Sequence, residues 1–140
     1  MGRELVEQIP EDIDVVCGAI CGAGMTMRMS KILKESHRQC KVIALEPASL
    51  PMLTNGHGGS HYLEGIGIGF LPIVLDKTLY DDALAIDEAE AQEGNLAGTS
   101  TGLNVTAAIK LAEQLGPGKF LASVACDTGL KYVRGYLFTK

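Results

Sequence analysis

Tryptophan is absent from this chain, and aromatic residues make up only 5% of it, which leaves few side chains on which nucleic-acid bases could stack. Positive charge is also scarce: 12 Lys and Arg against 17 Asp and Glu give a net charge of −5. No broad basic surface for nucleic acid or anionic lipid is therefore expected. Long apolar runs are missing too. The nearest, Gly65 to Leu75, is interrupted by Pro72 and falls short of the roughly 20 residues that span a bilayer. The start, Met1-Gly2-Arg3-Glu4-Leu5, lacks the charged-then-apolar order of a secretion signal, and Val6 stands where a myristoylation signal needs Ser or Thr. The cysteines at 17, 21, 40 and 126 have no His or Cys at zinc-ligand spacing. Reduced, buried thiols in a cytoplasmic protein with no metal site are expected.

What is present is an ordinary globular balance, 46% apolar and 21% charged over 140 residues, enough for one domain and too apolar for disorder. Gly2 to Gln8 reads as a short helix stopped by Pro10. Asp12 to Ile20 carries a near-continuous apolar run, the pattern of a strand buried on both faces. A glycine-rich turn follows at Cys21-Gly22-Ala23-Gly24, and Thr26 to Ser36 shows helical spacing of Met29, Ile32 and Leu33. Lys41 to Glu46 is a second apolar strand. Strand, helix, strand in that order predicts a parallel sheet with a right-handed crossover. Pro47 to Gly69 is glycine-rich and lacks periodicity, which predicts a long, functional connection. Beyond it, Asp82 to Asp87 reads as a strand and Asp87 to Glu93 as a helix. Leu96 to Gly102 is a small-residue turn, Leu103 to Leu115 a helix ended by Gly116-Pro117-Gly118, and Lys119 to Asp127 a third apolar strand.

Three places could carry chemistry. The turn Cys21 to Met25 lies between a strand and a helix, where free N–H groups and the helix dipole favour an anion such as phosphate. It has neither the spaced glycines of a dinucleotide fingerprint nor a Walker lysine. The second place is Gly98-Thr99-Ser100-Thr101-Gly102, where Ser100 or Thr101 is the natural N-cap of the following helix or presents a hydroxyl to a ligand. The third is Cys126-Asp127-Thr128-Gly129, where Asp127 caps a turn or orients a polar ligand group. His37 falls in a polar segment. His57 and His61 have no partner acid or cysteine, which makes them poor metal ligands. Glu64 reads as a solvated or structural carboxylate. No nucleophile–base pair stands out, so no catalytic residue is assigned.

Taken together, these motifs resemble the pyridoxal-phosphate enzymes of the cysteine synthase (O-acetylserine sulfhydrylase) and cystathionine β-synthase family. Gly2-Arg3-Glu4-Leu5 is similar to the family's Gly-Pro-Glu-Ile. Glu46-Pro47-Ala48-Ser49 followed by His61 to Gly67 is similar to Glu-Pro-x-x-Ser with His-x-Ile-x-Gly-Ile-Gly. Gly98 to Gly102 is similar to Gly-Ile-Ser-Ser-Gly, and Asp127 to Tyr132 to Asp-Ser-Gly-Glu-Arg-Tyr. The resemblance runs nearly end to end. It implies an α/β fold: a three-layer parallel-sheet sandwich forming the larger part of a fold-type-II enzyme, without the N-terminal portion. Residues 1–140 would be a single partial domain matching the cofactor-binding C-terminal half.

The resemblance further implies pyridoxal 5'-phosphate as cofactor, with Cys21, Gly22, Ala23, Gly24 and Met25 at its phosphate. Ser100 would meet the pyridine nitrogen with Asp127 nearby, and Gly65, Ile66 and Gly67 would line the mouth that receives a small amino-acid substrate. It implies β-replacement or β-elimination on O-acetylserine or a related amino acid, and as partners a second copy of the chain or a complementing N-terminal half. Two departures stand out. The family's phosphate loop is Gly-Thr-Gly-Gly-Thr, so both threonine hydroxyls are missing here and Ala23 adds a methyl group. The family's Schiff-base lysine lies in a Ser-x-Lys-Asp-Arg motif that this sequence does not contain. The expectation is an enzyme scaffold inactive by itself, or else a non-catalytic half that binds a protein or small ligand.

Overall fold

The computed structural model of the protein describes residues 1–36, 39–92 and 97–133. His37, and the expected helical positions past Gln92, lie outside the described residues. The elements run in the order α1 (Gly2–Gln8), β1 (Val15–Ala19), α2 (Gly24–Glu35), β2 (Lys41–Pro47), β3 (Asp82–Ile86), α3 (Glu88–Gln92), α4 (Thr99–Leu115) and β4 (Leu121–Ala122), then a single 3-10 turn at Gly129–Tyr132. The four strands form one all-parallel sheet in the order β3-β2-β1-β4.

Successive residues of β1 point to opposite faces, as a strand requires. Val15, Cys17 and Ala19 pack with Ile43, Leu45, Leu103 and Ala107 against α4. Val16 packs with Met29 and Leu33 against α2, where Leu5 and Val6 of α1 join them. Both sides of β1 are thus apolar because both are covered, giving three layers: α1 and α2, the sheet, and α3 with α4. Burying Leu33, Leu45 and Leu103 fully stabilises each interface by about 2 kcal/mol per side chain.

The connection from β2 to β3 has no helix. Its irregular course is fixed by Glu46, a buried carboxylate at the end of β2. Glu46 accepts bonds from the Leu53 amide at 2.7 Å, the Thr54 amide at 2.9 Å and the Thr54 hydroxyl at 2.7 Å. The connection is also anchored by its own apolar residues, because Leu50, Leu63 and Ile66 are buried.

Two boundaries differ most from the sequence reading. α4 starts at Thr99 with Gly98 as N-cap and no side-chain cap bond, so neither Ser100 nor Thr101 caps it. The small residues taken for a turn form its first turn instead, because the Thr101 hydroxyl is drawn to the segment after β4. β4 pairs over only Leu121–Ala122, far less than Lys119 to Asp127, because the chain then leaves β1. That divergence positions the site.

Candidate functional site

In a sheet of order β3-β2-β1-β4, the chain winds outward from β1 in one direction and returns to pair on its other side. The crevice beyond the carboxyl ends of β1 and β4 is the topological switch point, where open parallel sheets bind ligands. Here it is a cavity of about 170 Å³ lined by Ala19, Cys21, Gly22, Ala23, Gly24, Met25, Gly65, Ile66, Ser100 and Cys126.

The floor is the entry to α2. The helix begins at Gly24 with Ala23 as N-cap and no side-chain cap bond, so its first amides are left without a side-chain partner to answer them. Ala23 itself is left-handed, with φ +62°, a conformation that costs an L-residue roughly 1 kcal/mol. A Cβ built on Gly22 or on Gly24 would meet nothing within 4 Å. The glycines therefore leave open space beside donor amides at the positive end of a helix dipole, which is what a phosphate group requires.

One wall is the first turn of α4. Ser100 lines the cavity, with its hydroxyl 3.4 Å from Oδ1 of Asp127. The Thr101 hydroxyl donates to the same oxygen at 2.8 Å and accepts from the Cys126 amide at 2.9 Å. Tyr132 donates its phenol to the other carboxylate oxygen. That bond pushes the Tyr132 pKa up to about 12, with burial adding to it. Gly98 is required beside this carboxylate, because a Cβ there would lie 2.1 Å from Asp127. The Cys126 thiol pKa is raised, first by burial and then by Asp127.

The opposite wall is the connection after β2. His61 bonds the Gly67 carbonyl through Nε2 at 3.0 Å and accepts from the Leu63 amide at Nδ1 at 3.2 Å, which sets its tautomer and places it in the scaffold. Gly67 is left-handed at φ +62°, and a Cβ there would strike His61. The Glu64 amide bonds the Thr99 hydroxyl at 3.1 Å, tying this wall to α4.

The structure thus brings Cys21 to Met25, Gly65, Ile66 and Ser100 onto one cavity. Gly67 does not line it but faces the adjoining surface with Ile68 and His61. Asp127 stands behind Ser100 rather than in the lining. Ala19 lines the cavity without having been singled out, Cys126 lines it although it was named only as part of the turn with Asp127, and the buried Asn104 behind them was missed. The alternation of β1 and the helical spacing from Ser100 to Asn104 were the available signals. The thiols divide: Cys17 and Cys40 are buried as expected, while Cys21 is half-buried and Cys126 exposed. Burial pushes Cys40 up to about 11. Among the described residues no cluster of His, Cys, Asp and Glu could hold a metal ion, and no helix is long and apolar enough to cross a membrane.

A family of known proteins, described as "Pyridoxal-phosphate dependent enzyme", matches residues 1–127. The chain belongs to this family. Cysteine synthase from Staphylococcus aureus is 32% identical over 99% of this chain, an alignment that covers 48% of the S. aureus protein. O-acetyl serine sulfhydrylase isoform 3 from Entamoeba histolytica superposes with a TM-score of 0.90 at 26% identity, over 99% of this chain and 44% of that one. O-acetylserine dependent cystathionine beta-synthase from Helicobacter pylori does so with a TM-score of 0.85 at 26% identity, over 99% of this chain and 48% of that one. The chain spans about half the length of these relatives.

Membership of this pyridoxal-phosphate-dependent family implies that cofactor, and the switch-point cavity suits its phosphate: open glycines, uncapped amides and the start of a helix. Among the described residues, however, the lining has no lysine to which the cofactor could be linked, and it has Gly22 and Met25 where the family's loop carries threonine.

Proposed function

We propose that this chain is the cofactor-holding half of a pyridoxal-phosphate enzyme that carries out β-replacement or β-elimination on O-acetylserine or a related small amino acid. The observation that carries this reading is the convergence of Cys21 to Met25, Gly65, Ile66 and Ser100 on one cavity at the switch point. Bound there, the cofactor supplies an electron sink for the substrate's α-carbon. The residues of this chain bind and orient. The amides at the start of α2 take the phosphate, the Ser100 hydroxyl faces the ring nitrogen, and Gly65 with Ile66 shapes the mouth, where Gly67 follows. A hydroxyl does not protonate a ring nitrogen strongly, which suits loss and replacement of a β-substituent. With no lysine in the lining among the described residues, the chain by itself binds the cofactor without turning substrate over.

The experiment is equilibrium dialysis of the chain against pyridoxal phosphate, with pyridoxal, which lacks the phosphate, as the comparison. Binding that depends on the phosphate is expected, competed by inorganic phosphate and abolished in G24L, with no cysteine formed from O-acetylserine and sulfide. Equal binding of the two compounds would sink the phosphate assignment. Borohydride trapping of the cofactor on one particular lysine would sink the claim that the chain alone is inactive.

A second reading, a non-catalytic half that binds another protein, is favoured by the exposed apolar residues Phe70, Ile73 and Val74 in the segment that follows Gly67.

A further inference from the structure

β1 and β4 pair only through Val15↔Leu121 and Val16↔Ala122. Beyond that point β1 continues to Ala19 while the other chain turns away, and the crevice opens between them. Backbone groups on the facing sides then need partners, because an unpaired buried peptide group is costly. The Cys17 carbonyl is met by the Ser123 hydroxyl at 2.9 Å. Two residues further on, the Ala19 amide donates to Oδ1 of Asn104 at 2.8 Å. The amide nitrogen of the same side chain donates to the Val124 carbonyl at 2.8 Å and reaches Sγ of Cys126 at 3.5 Å. Asn104 is 0% exposed.

We infer that Asn104 is the positioning residue of the crevice: its carboxamide acts as an inserted peptide unit that replaces the missing ladder between β1 and β4 and so sets the gap in which the cofactor sits. Of the residues it joins, Ala19 and Cys126 are cavity lining. Thr101, one turn earlier on the same helix, holds the Cys126 and Asp127 amides at 2.9 and 3.2 Å. One face of α4 thereby fixes the whole β4 side of the site. A carboxamide is needed at 104 because the position must accept from an N–H on one side and donate to a carbonyl on the other. Leucine has the size but neither function, and an ionised carboxylate accepts on both sides. This role rests on the cofactor reading given above.

N104D provides the test. A protonated carboxyl group can imitate the carboxamide, with C=O toward Ala19 and O–H toward Val124, whereas the carboxylate repels the Val124 carbonyl. Burial raises the pKa of an aspartate introduced there, as do the ionisable neighbours Cys17 and Cys126 and the nearby Asp127 whenever they are charged. At pH 8, N104D should bind pyridoxal phosphate at least about tenfold more weakly than the wild type, and at pH 5 within about threefold. V42A, a destabilising change on the opposite face of the sheet, should leave the affinity unchanged at both pH values. Hydrogen exchange at the Ala19 amide gives a readout that needs no ligand. It should be slow in the wild type and about tenfold or more faster in N104D at pH 8. N104D binding like the wild type at pH 8, or weakened equally at both pH values, overturns the proposal. So does an Ala19 amide whose exchange is unaltered. Failure of the wild type to bind pyridoxal phosphate would sink the cofactor reading but leave Asn104 to be judged by exchange. If N104D fails to fold at pH 8, folding regained at pH 5 supports the proposal, and its absence at both overturns it.

Discussion

Gly22 and Met25 are where this chain departs from its family at the scale of single residues. The family's loop places a threonine hydroxyl at each position, and here one side chain is missing and the other is a thioether. The space has been kept, since nothing lies within 4 Å of a Cβ built on Gly22 and its φ is not left-handed. Threonine can therefore be introduced there without strain. A hydrogen bond to a charged group contributes about 1.5 kcal/mol net, a little over tenfold in affinity. G22T/M25T should accordingly bind pyridoxal phosphate at least about tenfold more tightly than the wild type. Its affinity for pyridoxal, which lacks the phosphate, should stay the same. Dialysis with the two compounds checks this, and equal gains for both would mean that the loop does not face the phosphate. The cost falls on stability, because Met25 packs against the Val16 and Met29 cluster.

The elements show which parts of this architecture a sequence can declare. α1 was legible to the residue and β2 to within one, because Pro10 and the apolar run Val42 to Leu45 are unambiguous local signals. The start of α4 was not legible. Gly98 to Gly102 is rich in turn formers, yet it is helical from Thr99 onward because Thr101 and Ser100 bond to Asp127, a partner far along the chain. The length of β4 was hidden for a related reason. Val124 and Ala125 are apolar, but the chain bends away at Ser123, whose hydroxyl is held by the Cys17 carbonyl. That the glycine loop and Ser100 come together at one crevice was readable from position and motif. The bridging role of Asn104 was not, because helical spacing puts it on the face of Ser100 but nothing local shows that it spans two strands.

Gly102 yields a prediction at the same scale. In an exposed helix, glycine to alanine gains about 1 kcal/mol. A Cβ at Gly102, however, would lie 2.0 Å from the Ala91 carbonyl oxygen of α3, and backbone atoms cannot give way as a side-chain tip can. α3 is also fastened to α4 by the Lys110–Glu90 ion pair and by the Thr106 hydroxyl on the Glu90 carbonyl at 3.2 Å. G102A should therefore destabilise the fold by about 1–3 kcal/mol, the usual range for overpacking. A lower denaturant midpoint at unchanged slope is the expected result. A higher midpoint would show that the two helices are not seated this closely.

For the molecule as a whole, the segment that follows the mouth exposes several large apolar side chains in succession. Phe70 is 61% exposed, Ile73 102% and Val74 59%, with Leu71 and Ile68 next to them. They follow Gly65 and Gly67 without a break in the chain, so one continuous segment runs from the crevice into an apolar surface. The helices cover both faces of the sheet but not this segment. Exposed apolar side chains grouped along one segment promote association, and the net charge of −5 opposes it only weakly at physiological salt, where screening is strong beyond about 8 Å. At micromolar concentration the chain should therefore sediment heavier than a monomer, more so as salt is raised, because repulsion between copies is screened while apolar burial is not. F70S/I73S removes two of the largest exposed side chains without touching the cavity lining. It should shift the population towards monomer and leave pyridoxal phosphate affinity unchanged. Sedimentation velocity at two salt concentrations, with dialysis on the same samples, separates the surface from the site. If monomer formation and loss of cofactor occurred together, the mouth and the patch would be one functional unit.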